Sequence, residues 1–324
     1  MAVNYTAGKT FPGFGWLIAV DSIYSLIDEC DAALAGAGLH FGHGADSARD
    51  EAAWLVLHVF GWPVGEDYVD WRAPVDAPRA ARVRALLAER VRSHAPLAYL
   101  LGEAWFCGLP FEVGPAVLVP RSPIAELIEQ GFEPWVAPAR LRRALDLCTG
   151  SGCIAIAMAA NLPGLQVDAS DLSVDALEIA GRNVARHKLQ DRVSLLHSDL
   201  FAALGGRRYD LVVSNPPYVP VGAMAGLPAE YRAEPELGLV SGADGLDIPL
   251  RILADAPNYL DAGGVLVCEV GESAQRLQEL LPRLPSTWLE FEHGGEGVFT
   301  MNRDELMAAS DDVNTALRSR ADVR

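Results

Sequence analysis

The sequence has no apolar stretch long enough to span a bilayer: the run around Trp16–Val20 is short and is followed by Asp21, without a signal-peptide cleavage pattern. A soluble cytoplasmic protein with no membrane partner is therefore expected. Cysteine is scarce. Cys30, Cys107, Cys148, Cys153 and Cys268 form no CxxC pair and no even set, so neither a disulfide framework nor a structural zinc site is expected. Basic residues are outnumbered, 26 Lys+Arg against 43 Asp+Glu. The net charge of −17 and the lack of an extended Lys/Arg run argue against direct nucleic-acid binding and for a basic partner. Internal repeats and low-complexity tracts are also absent, which excludes solenoids and linker-like chains.

What is present is a chain of 324 residues, half of them hydrophobic, enough for two domains with ordinary cores. Residues 1–20 are glycine-rich and aperiodic, and read as a poorly ordered lead-in. A helical N-terminal domain is expected over 21–102. Ile23, Leu26, Ile27, Cys30 and Leu34 share one helix face that ends at Gly36 or Gly38, and further helices are expected over Ser47–Phe60 and Pro78–Ser93. Residues 103–123 read as a linker containing a β-hairpin, Trp105-Phe106-Cys107 to Phe111-Glu112-Val113.

From 124 to 309 short β runs alternate with helical ones, the signature of an α/β domain with a mostly parallel sheet. Strands are expected at Ala144–Leu147, Leu165–Ser170, Val193–Leu196, Leu211–Val213 and Val265–Val270. A closing antiparallel pair is expected at Trp288–Glu292 and Gly297–Met301. Helices are expected after Gly152, from the Ser173 cap to about His187, and over Asp247–Leu260. Residues 310–324 are charged and are expected to fray.

Two constellations carry chemistry. Asp146-Leu147-Cys148-Thr149-Gly150-Ser151-Gly152 joins the first strand to its helix, where glycines let the backbone approach a ligand and free N–H groups face it. Asp171, at the end of the second strand, is placed to accept ribose hydroxyls. These two features indicate a nucleoside cofactor but do not separate NAD from S-adenosylmethionine. Asn215-Pro216-Pro217-Tyr218, after the fourth strand, separates them. Hydride transfer has no use for it, whereas two prolines lacking N–H leave carbonyls that only accept. With the Asn215 oxygen they suit an amide or nucleobase –NH2, and Tyr218 offers a flat wall. Other features read as structural: the HxxH of His40 and His43 lacks the companion glutamate of a zinc hydrolase, so no metal is expected.

The combination resembles the class I S-adenosylmethionine-dependent methyltransferases that act on planar amino groups. Phe106-Cys107-Gly108-Leu109-Pro110-Phe111 followed by Val117-Leu118-Val119-Pro120-Arg121 is similar to the substrate-side hairpin of the HemK-like glutamine methyltransferases. The continuation Ser122-Pro123-Ile124-Ala125-Glu126, together with Tyr231–Leu239 and Gly294-Gly295-Glu296-Gly297, resembles the PrmB-type branch rather than the release-factor branch. Cys148 stands where many of these enzymes have glycine.

The resemblance implies a Rossmann-like seven-stranded sheet and a helical substrate-recognition domain. It also implies methylation of a glutamine side-chain amide in ribosomal protein L-three of the large subunit. The release-factor branch, and less so nucleic-acid adenine methylation, stand as alternatives. In the site, Asn215, Pro216 and Tyr218 would be catalytic. S-adenosylmethionine would meet Asp146, Cys148, Thr149, Gly150, Ser151, Gly152, Asp171, Asn215 and Asp199, with Leu200 against the adenine ring. The substrate would meet Phe106, Arg121, Asn215, Pro216, Pro217 and Tyr218.

Overall fold

The computed structural model describes residues 22–62 and 69–321, so the lead-in expected over 1–20 lies outside the described residues. The chain packs into two compact units, one reaching Glu103 and including Pro228–Ala233, the other comprising Ala104–Leu227 and everything from Glu234 onward.

In the first unit, α1 (Ile23–Ala35) is opened by a capping box between Ser22 and Ser25 and buries Ile23, Leu26, Ile27, Cys30 and Leu34, the face expected from the periodicity. Next, α2 (Ala48–Phe60) starts at the Ser47 cap and stops at Gly61, whose φ of 69° only glycine adopts without strain. The longest helix, α3 (Ala77–Ser93), is capped by Asp76, and a short α4 (Leu97–Leu101), too brief to show a period, follows Pro96.

The centre of this unit is ionic. Arg90, 1% exposed, donates to Glu51 Oε1 at 2.7 Å, to Glu230 Oε1 at 3.1 Å and to the His40 carbonyl at 3.1 Å. A buried guanidinium is tolerated only with such compensation, and one of its carboxylates comes from 228–233. The helical unit is therefore not the contiguous span 21–102 expected from the sequence.

In the second unit, β1 (Glu103–Phe106) and β2 (Leu109–Glu112) form the expected hairpin, turning through Cys107 at φ 47° and Gly108 at φ 70°. Two left-handed residues match the twist of a two-residue hairpin turn. Then follow α5 (Ile124–Glu129), β3 (Arg143–Leu147), α6 (Cys153–Asn161), β4 (Gln166–Asp171), α7 (Val174–Arg186), β5 (Val193–His197) and β6 (Tyr209–Ser214). After them come α8 (Glu236–Leu239), α9 (Asp247–Asp255), β7 (Leu260–Glu269), α10 (Ala274–Leu280), β8 (Thr287–Trp288), β9 (Val298–Asn302), α11 (Arg303–Ala308) and α12 (Ser310–Ala321).

The sheet runs β5-β4-β3-β6-β7-β9-β8. Its first five strands are parallel, β9 is antiparallel to β7, and β8 is antiparallel to β9. This is the mostly parallel seven-stranded sheet of a class I methyltransferase fold.

Three expectations are corrected here. The helix expected over 247–260 ends at Asp255 because Pro257, which lacks an N–H, permits only a 3-10 turn before β7 begins at Leu260. The first strand of the closing pair is just Thr287–Trp288. The tail expected to fray is helical through Ala321: Val313 and Ala316 are buried in the sheet's core cluster with Leu317 packed against it, and Arg320 pairs with Asp244 and Asp247. Its spacing of i, i+3 and i+4 is an apolar stripe half hidden among charges.

Candidate active site

Sequence order runs outward from β3 through β4 to β5, then restarts at β6 and runs to β7, so β3 and β6 flank the point where the sheet changes direction. Ligands of open α/β sheets bind beyond the strand carboxyl ends at that point. There the chain sets four groups side by side: the glycine loop after β3, Asp171 closing β4, Asn215 following β6, and Glu269 closing β7.

The loop is built on Asp146, which is fully buried. Its Oδ2 accepts the Thr149 hydroxyl at 2.5 Å and the Ala155 N–H at 3.1 Å, while its Oδ1 has no partner. Burial raises the Asp146 carboxyl to about 7. Cys148 has φ 59°, Gly150 54° and Gly152 80°, so Cys148, like the two glycines, carries the left-handed backbone that glycine adopts most readily. A Cβ at Gly150 would meet nothing, whereas one at Gly152 would press on Ala180 and Ile156 at 3.3 Å; the first glycine serves the turn, the second helix packing. Asp171 accepts the Gly150 N–H at 2.9 Å and the Ser173 N–H at 2.8 Å, and burial nonetheless raises its carboxyl above the usual range.

The loop N–H groups expected to face a ligand are instead engaged within the chain, Thr149 by the Ser170 carbonyl, Gly150 by Asp171 and Gly152 by the Thr149 carbonyl. The carboxylate closing β4 and the unpartnered buried oxygen of Asp146 fit a cofactor that brings hydroxyl and ammonium donors, as S-adenosylmethionine does.

Asn215 is half-buried and Pro216 buried, and neither the Asn215 side chain nor the Pro216 carbonyl is engaged by another described residue. Tyr218 is clamped. Its hydroxyl donates to Glu269 Oε1 at 3.1 Å, its carbonyl accepts the Ser273 hydroxyl at 2.7 Å, and its ring lies so close to Gly271 that a Cβ there would fall 2.6 Å from the ring.

Other expected site residues stand differently. Asp199 is bound by both oxygens to Arg251 at 2.9 Å, and Leu200 belongs to the buried core cluster. Arg121 makes a two-point pair with buried Glu234, both bonds 2.6 Å, so its charge is already committed. Phe106 is buried in β1, and Pro217 is half-buried beside Tyr218.

Two residues of the site escaped sequence reasoning. Asn183, fully buried, donates to the Ser151 and Glu112 carbonyls and accepts the Glu112 N–H at 2.7 Å, tying the hairpin to the cofactor loop. Glu269 is 4% exposed. The available signal was a polar residue on an apolar helix face in the first case and a carboxylate inside an apolar strand run in the second. Among the described residues no cluster could hold a metal ion, and no helix is long and apolar enough to cross a membrane.

Residues 134–226 match the family model described as the methyltransferase small domain, and 29–102 match that of the PrmC N-terminal domain. The chain is 51% identical to the ribosomal protein uL3 glutamine methyltransferase of Xanthomonas campestris pv. campestris over 295 residues, 90% of this chain and 96% of that protein. It is 50% identical to the protein of the same name from Xylella fastidiosa, over 90% of this chain and 95% of the other. The corresponding figure for the Bordetella pertussis protein is 46%, over 89% and 97%.

Proposed function

Because this chain belongs to the ribosomal protein uL3 glutamine methyltransferase family, we propose that it methylates the side-chain amide nitrogen of a glutamine in ribosomal protein uL3, using S-adenosylmethionine, in the cytoplasm. The observation that carries the site assignment is Asn215: an amide with an unengaged oxygen, followed by an unengaged Pro216 carbonyl, at the switch point of the sheet. The net charge of −17 supports a basic protein substrate over a phosphate polymer.

The chemical difficulty is that an amide nitrogen is a poor nucleophile, its lone pair being delocalised into the carbonyl. S-adenosylmethionine supplies an electrophilic methyl group when bound. Asn215 Oδ1 and the Pro216 carbonyl accept the two N–H bonds of the glutamine amide and so orient the nitrogen toward that methyl. As positive charge grows on nitrogen, both acceptors bind it more strongly than they bound the neutral amide, which lowers the barrier rather than merely improving binding. Tyr218 limits the amide plane from one side. The proton then released passes to solvent.

Cofactor binding would fall to the 148–152 loop, Asp146 and Asp171. With labelled S-adenosylmethionine, purified uL3 should take up label on one glutamine, and release factor, DNA and RNA should not. Label in release factor or in nucleic acid would replace the substrate assignment.

A further inference from the structure

Glu269 closes β7 next to the strand that carries Asn215; the β6–β7 register ends at Ser214 opposite Cys268, one residue short of both. Its two carboxylate oxygens are separately used: Oε1 accepts the Tyr218 hydroxyl at 3.1 Å, and Oε2 accepts the Ser122 hydroxyl at 2.6 Å. Ser122 in turn accepts the Ile124 N–H at 3.2 Å, at the start of α5. We propose that Glu269 is a positioning residue for methyl transfer: by accepting both hydroxyls it holds Tyr218, the wall of the amide site, in the orientation that the reacting amide requires. This inference rests on the reading of Asn215–Tyr218 as the amide site.

Burying a charge is costly, and an apolar residue after the buried apolar run Val265–Cys268 would avoid that cost. The rest of the surroundings clamp Tyr218 too, through Gly271 at the ring and Ser273 at the carbonyl, while Glu269 holds the hydroxyl end.

The arrangement depends on charge. An ionised carboxylate accepts from two hydroxyls at once, whereas a protonated one carries an O–H of its own, so one of the two hydroxyl bonds must reverse or break. Burial raises Glu269 to about 7, opposed by the Ser122 and Tyr218 hydroxyls and by the charge of Arg121. Arg121 is itself held by Glu234. On its own strand Cys268 is a thiol that burial keeps neutral, and across the ladder on β9 stands the apolar Val298. Turnover should therefore fall as pH drops through about 7.

The test is kcat against pH, from about 5.5 to 9, with S-adenosylmethionine and uL3 both saturating. Saturation matters because Asp146, which also titrates near 7, lies in the cofactor loop and would appear in cofactor affinity instead. Wild type should show an acid limb near 7. E269Q should lower kcat by about 10–100-fold, leave cofactor affinity by calorimetry within about twofold, and abolish the limb. Y218F, which keeps the carboxylate but lacks the hydroxyl, should abolish the limb too, and adding E269Q to Y218F should change kcat by less than about twofold.

A flat wild-type profile, an acid limb that survives in Y218F, or additive effects of the two substitutions would overturn the inference. Should E269Q fail to fold, Y218F alone decides it. N215A separates the two levels. If it transfers methyl at the wild-type rate, the amide-site reading fails; if it collapses while E269Q behaves as wild type, the positioning role alone fails.

Discussion

The Gly150 N–H donates to the Asp171 carboxylate at 2.9 Å, so the turn after β3 and the end of β4 are fastened to each other. The acid that would bind the ribose also shapes the glycine loop, and a substitution there has two consequences, one on affinity and one on loop order.

Asp171→Ala should weaken S-adenosylmethionine by about 1.5–3 kcal/mol, the range for hydrogen bonds to a charged group. Isothermal calorimetry measures this directly, and unchanged affinity would remove Asp171 from the site. Thermal unfolding of the ligand-free variant should also move to lower temperature, since the Gly150 and Ser173 N–H groups lose their acceptor.

Asp146 makes a separate prediction about pH. Burial raises its native pKa to about 7, whereas an unfolded Asp titrates near about 4. Between those values the native state binds the extra proton, so stability of the ligand-free protein should decline as pH rises from about 4 to 7 and level off above. Urea unfolding across that range should show the decline in wild type and a smaller one in Asp146→Asn, where buried Glu269, also raised to about 7, still contributes in the same sense.

Asn215→Ala removes one of the two amide acceptors and should lower kcat by about 10²–10³, with cofactor affinity changed far less. Asn215→Asp keeps an acceptor oxygen but adds a charge, and should retain partial activity. Single-turnover transfer at saturating substrate reads both; near-wild-type transfer by Asn215→Ala would reduce the acceptor pair to a binding surface.

Arg90→Ala would leave Glu51 and Glu230 buried without their cation. Removing one member of such a network costs about 3–5 kcal/mol, far more than loss of a surface pair such as Arg84–Glu29. Chemical denaturation of the two variants should separate them clearly, and equal losses would mean that Arg90 is not the centre of the helical unit.

The sequence alone determined a good deal here because the signals were local. The α1 stripe, the Ser47 and Ser173 caps, the parallel strands and the Gly150–Gly152 turn each depend on residues a few positions apart, where periodicity and backbone preference act. Asn215-Pro216-Pro217-Tyr218 was legible for the same reason: its donor and acceptor inventory is written in four consecutive residues. Only the tertiary structure decided that Arg121 is spent on Glu234, that Asp199 is held by Arg251, and that residues 228–233 fold with the helices through Glu230 and Arg90. It alone brought Ser122, Tyr218 and Glu269 together from three distant segments. A charged group's partner is chosen by proximity after folding and by the cost of burying charge unpaired, and neither is encoded in the spacing of the residues concerned.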